Sequence, residues 1–281
     1  MSHDEQLAWE ARAGRPVAGA SFGAALMAIA AGVYLPLALS GNPDGADELL
    51  RAADSESGDF IVAGVLQTLG LLLLIPVLLY LFRATRYRNT RLMPAAAVLV
   101  VLGALTLGVV TILRQLELVD IADNFFPDHA QGVRDLEQTA EDYISDELSP
   151  ALQGISLAGS IALAFSMIMI SLNAMRAGLF SRFMGILGIF VGILLVIPLG
   201  VQILQLFWFG ALGLLFLNKW PGGRGPAWQT GEAIPWPGAA EQREEIERRR
   251  AERAGVPEPA PAQEEPEEAR PASRKRRKKK R

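Results

Sequence analysis

The chain has 281 residues, 51% of them hydrophobic and 20% charged, with a formal net charge of -3, two His and no Cys. The lack of Cys excludes disulfides, thiolate metal sites, haem attached through Cys and a Cys nucleophile. With only His3 and His129 present, no multi-histidine metal or haem site is expected, and no cofactor is implied.

Charge segregation organises the chain. A bilayer core is about 30 Å thick and takes about 20 apolar residues of helix to cross. Uncharged runs of that length recur along the sequence. They are apolar all the way round, whereas a soluble surface helix carries a polar face. The predicted fold class is all-α: a polytopic transmembrane helical bundle of six spans, with a mostly disordered, charged C-terminal tail.

Residues 1–16 read as a cytoplasmic N-terminus. The first span is Val17–Leu39, with Gly19 and Gly23 one helical turn apart and Pro36 near its outer end. Its 23-residue apolar run exceeds the about 7–15 residues of a signal-peptide core, so a retained span is expected. An acidic loop follows, with Asp44, Asp47, Glu48, Asp54, Glu56 and Asp59 against Arg51 alone. The second span, Phe60–Phe82, holds Gln67 and Pro76, a residue that kinks helices. The next loop carries Arg83, Arg86, Arg88 and Arg91 with no acid, and the third span is Leu92–Leu113.

Arg114–Pro150 is a longer outer loop with ten carboxylates against two Arg. Within it Val133, Leu136, Ala140, Tyr143 and Ile144 recur at helical spacing, predicting an amphipathic helix over 131–148 that packs on the outer rim or lies at the interface. Asp120, Asp123, Asp128 and His129 invite a hard-cation reading, but the spacing matches no calcium loop and a hydrated acidic surface is expected instead.

The fourth span is Ala151–Leu172, containing Gln153. A 36-residue apolar run follows, which as one helix would reach roughly 54 Å, so Pro198-Leu199-Gly200 is read as the turn of a hairpin. The hairpin gives spans Phe183–Leu199 and Val201–Leu217. Five spans is the rival reading. Lys and Arg concentrate in alternate loops, and the positive-inside rule then places both termini in the cytoplasm.

Span interiors carry no charge, which argues against an intramembrane proton relay. Gln67, Gln153, Gln202 and Gln205 are the polar residues of interest. Such residues either line a pathway or bridge helices by hydrogen bonds, and bridging is expected. Gly19, Gly23, Gly188 and Gly192 allow close helix packing, within the bundle or in a homo-oligomer. No zinc-protease helix, phosphate loop or nucleophile elbow is present, so no catalytic or metal residues are assigned.

Residues 221–281 form the tail. Trp228 and Trp236 follow a Gly/Pro-rich break and either rest on the membrane or pack under the bundle. The chain ends in Arg274, Lys275, Arg276, Arg277, Lys278, Lys279, Lys280 and Arg281, a run suited to anionic inner-leaflet lipids. Contact with nucleic acid is the lesser reading.

The segment Leu179–Gly192, continuing through apolar residues to Pro198 and Gly200, resembles bacterial domain-of-unknown-function 4386 proteins, most closely over Ala151–Trp220. The segment Trp220–Trp228 is similar to one found in actinobacterial membrane proteins. The resemblance implies a six-span-type membrane protein and supplies no catalytic or binding residues. The expected protein is a non-enzymatic one of the bacterial cytoplasmic membrane with a structural, regulatory or partner-binding role. A channel or carrier for a small neutral solute is the alternative, and a membrane-embedded enzyme comes third.

Overall fold

In hydrocarbon a backbone amide must find its partner within its own helix, so long apolar runs become continuous helices. The computed structural model describes residues 2–39, 43–129, 135–197, 202–221, 223–236 and 247–248, with the side chains of 127–129 and 202 outside the description. The helices of the first compact unit, Met1–Trp236, are α1 (His3–Ala38), α2 (Ala46–Ser55), α3 (Ser57–Arg88), α4 (Ala95–His129), α5 (Leu136–Glu147), α6 (Pro150–Arg176), α7 (Arg182–Leu194), α8 (Gln202–Phe216) and α9 (Ala227–Thr230). No strand occurs among the described residues. Of the second unit, Pro237–Arg281, only Glu247 and Arg248 are described, both helical.

Four helices are long and apolar enough to cross a membrane: α1, α3, α4 and α6. At 1.5 Å per residue they measure roughly 54, 48, 52 and 40 Å, so each projects beyond an apolar slab of about 30 Å. The two arms of the expected hairpin are shorter. The 13 residues of α7 and 15 of α8 amount to roughly 20 and 22 Å.

α3 runs to Arg88, so most of the loop expected from Arg83 to Arg91 is helix, and α1 and α4 outrun their predicted spans furthest, for identifiable reasons. α1 starts at His3 because Ser2 and Glu5 form a reciprocal capping box, and it continues unbroken through Pro16. α4 continues past Leu113 because Ile121, Ala122 and Phe125, three and four residues apart, bury one face against the elements above. Of the amphipathic helix predicted over 131–148, α5 covers Leu136–Glu147, with Ala140 fully buried and Leu136, Tyr143 and Ile144 packed around it, while Val133 lies outside the described residues. α2 was not anticipated. Leu50 and Ala53 are its buried residues, and Asp47 and Glu48 sit in its first turn, where the helix dipole favours negative charge.

The four membrane-length helices close into a ring together with α7 and α8. α1 packs on α3 and α8, α3 on α4, α4 on α6, α6 on α7 and α7 on α8, while α3 also touches α6 across the middle. One large apolar core fills this ring, including Leu78, Leu81, Val100, Leu163, Met167, Ile170, Trp208 and Leu212. A second core at the acidic end joins Leu39, Leu50, Phe60, Phe125 and Ala140. Outward stripes remain apolar, such as Leu26, Ile29, Val33 and Leu37 on α1 and Val98, Leu102, Leu105 and Val109 on α4. Stripes of this kind suit contact with lipid.

Candidate functional site at the basic end of the bundle

The most elaborate polar construction lies where α1 begins and α3, α6 and α8 end. Glu10 sits on the projecting first turns of α1, and Arg88 is the last residue of α3. Arg88 Nη1 lies 2.6 Å from Glu10 Oε1 and Nη2 lies 2.9 Å from Oε2, a bidentate pair. The Arg88 side chain is 0% exposed and that of Glu10 3%. Arg88 also donates to the Ala84 and Ala227 carbonyls, each at 2.9 Å. Glu10 further accepts from Gln6 Nε2 at 2.8 Å, and its backbone carbonyl accepts from the Tyr80 hydroxyl at 3.1 Å. Burying a charge is tolerated when it is paired and hydrogen-bonded, and this one is both.

Beneath the pair the chain after α8 folds back under the bundle. Arg224 donates from Nε to Leu215 O at 2.9 Å and from Nη2 to Phe216 O, satisfying carbonyls left open at the end of α8. Its guanidinium stands 5.1 Å from the centre of the Trp228 ring, and that of Arg88 stands 5.7 Å from it. Trp228 stacks on Tyr80 with centroids 6.1 Å apart and donates from Nε1 to Leu179 O at 2.9 Å. Trp228 therefore packs under the bundle. Gly178, with φ of +76°, permits the approach of this segment, since a β-carbon there would strike Ile234 O. Asn89 Nδ2 donates to Asn173 Oδ1 at 2.9 Å, tying the ends of α3 and α6. The signal for this latch was absent from local sequence, because Glu10 and Arg88 lie 78 residues apart.

The polar positions singled out within the spans are placed as follows. Gln67 on α3 is exposed although it shares a stripe with buried Ala63, Gly70 and Leu74. Gln153 on α6 is exposed above buried Ala164, Met167 and Ser171, and Gln205 on α8 is half-buried above Trp208 and Leu212. Thr68 donates to Gly108 O at 3.0 Å and joins α3 to α4, and Ser21 donates to Phe209 O at 2.7 Å and joins α1 to α8. The side chain of Gln202 and the whole of Arg274–Arg281 lie outside the described residues.

The two glycine pairs differ. A β-carbon at Gly19 would meet nothing, while one at Gly23 would touch Leu73 of α3. At Gly188 it would collide with Ser171 and Trp208, so α7 approaches both α6 and α8 closely there, and Gly192 abuts Ile168 and Ala164 of α6. At the acidic end Asp120 and Asp123 are exposed, and the side chains of Asp128 and His129 lie outside the description. Among the described residues no group of three metal-ligating side chains converges.

An all-helical chain with four membrane-length helices, apolar outward stripes and a charged end on each side is a multi-pass membrane protein. The model of the family described as "Domain of unknown function (DUF4386)" matches residues 17–217, and the chain belongs to that family. No curated protein and no solved structure matches it.

Proposed function

We propose that this is a non-enzymatic protein of the bacterial cytoplasmic membrane with a structural, regulatory or partner-binding role. The observation behind this reading is the closed basic end, where Glu10, Arg88, Trp228 and Arg224 join four chain segments under a dense apolar core. A conduit would need a continuous polar path. Here Leu78, Leu81, Val100, Leu163 and Met167, all 0% exposed, occupy the middle. The test is reconstitution into liposomes with shrink–swell measurement for glycerol and urea, alongside cross-linking in native membranes. Swelling no faster than that of empty liposomes, with one protein recovered in stoichiometric amount, supports the proposal.

The second reading, a passage for a small neutral solute, draws on the polar side chains of Gln67 and Gln153, which are exposed, and of Gln205, which is half-buried. Solute flux that Gln67→Leu abolishes would establish it and overturn the first. Topologically, the proposal has α7 and α8 complete six spans, both termini in the cytoplasm and the terminal cations at the anionic inner leaflet. Because the chain has no Cys, single introduced thiols report without background. Asp44→Cys should react with an impermeant maleimide in intact cells, and Thr90→Cys and Lys219→Cys should not.

A further inference from the structure

We propose that a blind polar cleft lies between the two apolar cores, opens sideways into the membrane between α1 and α6, and binds the phosphate end of an anionic glycerolipid with Arg114 as its counter-charge. The cleft follows from helix phase. On α4 the inward stripe runs Ala104, Leu107, Thr111, Arg114, Leu118 and Ala122, at spacings of three and four. Ala104 is buried in the large core and Ala122 in the second, yet between them Thr111 is half-buried and Arg114 exposed. On α3 exposed Gln67 stands between Phe60 of the second core and Leu74 of the large one. On α1 exposed Gly32 stands between Ala25 and Leu39 in the same way.

Contacts between helices set these positions at one level. Thr68 donates to Gly108 O at 3.0 Å and a β-carbon at Gly64 would strike Gln115, so α3 meets α4 on both sides of Gln67. Gly159 abuts Thr106 and Leu107, which brings half-buried Ser156 and exposed Gln153 of α6 alongside Thr111 and Arg114. α7 and α8 rise roughly 20 and 22 Å from the basic end, and Gly192 of α7 meets α6 at Ala164 and Ile168, short of Ser156. Among the described residues no helix therefore stands between the acidic-side halves of α1 and α6. The floor is closed by the core around Leu78, Leu163 and Met167. The acidic end is closed where Leu39, Phe60 and Phe125 pack with Leu50 of α2 and Ala140 of α5. Entry is lateral, from the lipid.

Depth and charge select the occupant. From Ala95 to Arg114 α4 climbs roughly 30 Å, the thickness of a bilayer core, so Arg114 stands at the level of headgroup phosphates. Gln67 lies roughly 5 Å deeper, as the ester carbonyls of a glycerolipid lie beneath its phosphate. A guanidinium recognises phosphate oxygens in pairs, and the Gln67 amide and Ser156 hydroxyl can donate to ester oxygens. Among the described residues no carboxylate pairs with Arg114, and Glu117, one turn further along α4, accepts from the Ser149 amide at 2.8 Å. Between the two cores the inward stripes carry this one positive charge and no acid. A charge placed inside a helix bundle at membrane depth marks a binding path, because holding it there is costly.

The test uses the full chain in detergent, with the cations of Arg274–Arg281 changed to Gln so that the tail contributes no lipid contact. Native mass spectrometry measures retention of added phosphatidylglycerol against phosphatidylcholine. At about 1 kcal/mol for a basic side chain, Arg114→Gln should lower phosphatidylglycerol retention roughly fivefold and leave phosphatidylcholine unchanged. Gln67→Leu, which touches the part common to both lipids, should lower both, and Arg182→Gln at the basic end should change neither. Arg114 and Gln67 are exposed, so both variants keep the fold. In nanodiscs, phosphatidylglycerol with a photoreactive group near its ester should label the peptides holding Gly32, Gln67 and Ser156. Retention indifferent to Arg114, or labelling confined to the outward stripes of Leu26 and Val98, would overturn the proposal. So would a stoichiometric protein, rather than lipid, cross-linked from Gly32→Cys in native membranes. The inference rests on the closed, non-conducting reading of the bundle. Solute flux into liposomes would remove that reading, whereas absence of both flux and lipid selectivity would remove this inference alone.

Discussion

Replacing Arg88 with Met keeps most of the aliphatic stem and removes the guanidinium from a site where its side chain is 0% exposed. Four hydrogen bonds go with it: two to Glu10 and one each to Ala84 O and Ala227 O. Glu10, 3% exposed, is then left as a buried carboxylate with Gln6 as its remaining side-chain donor. Breaking a buried pair from one side costs about 3–5 kcal/mol, because an uncompensated charge remains. Glu10→Leu should cost a similar amount by stranding the arginine. The double variant removes both charges, and a buried pair exchanged for apolar side chains is often close to neutral. The expected cycle is therefore strongly non-additive, the double variant costing far less than either single one. Chemical unfolding in lipid nanodiscs, followed by tryptophan fluorescence, measures all four corners. Single variants costing under about 1 kcal/mol, with an additive double variant, would mean that the pair behaves as a solvated surface contact and would refute the reasoning.

Two further substitutions test the packing. Gly178→Ala places a β-carbon against Ile234 O at a positive φ, and the left-handed backbone alone costs about 1–2 kcal/mol, so the thermal midpoint should fall. Gly188→Ala pushes into Trp208 and Ser171 and should destabilise by about 1–3 kcal/mol, whereas Gly19→Ala meets open space and should not, as differential scanning fluorimetry will show.

Local chemistry determined how much of this was legible in the sequence. The membrane helices were readable because each carries an uncharged run longer than a bilayer core requires. α5 was readable from the spacing of Leu136, Ala140 and Tyr143. α2 was hidden by the six acids around it, although Leu50 and Ala53 lie three apart and both are buried. The extension of α1 was hidden in the same way. Residues 1–16 read as a cytoplasmic terminus outside the first span, while the Ser2-x-x-Glu5 capping box that starts the helix was present in the letters. Helix ends past a span depend on such caps and on tertiary cover, which hydropathy does not register. The latch was beyond any local reading, since Arg88 was one of four loop arginines and only the fold decides which of them meets Glu10.

The two ends of the bundle are held by different forces. At the acidic end Phe60, Phe125, Leu50 and Ala140 bury one another, and apolar contact of that kind is non-directional. At the basic end a single guanidinium fork fixes Glu10 of α1, Ala84 of its own helix and Ala227 of α9 together. Fork geometry tolerates little displacement, so the pair sets the position of the returning segment even where it adds little net stability. Stability and register should therefore separate in the double variant Glu10→Leu/Arg88→Met. Its unfolding free energy should recover toward that of the parent chain. Its returning segment, which has lost the bond to Ala227 and one of the two cations beside Trp228, should open to trypsin at Arg224 far faster than in the parent. Cleavage at the parent rate would show that Trp228 stacking and the Arg224 carbonyl bonds hold the segment without the ion pair.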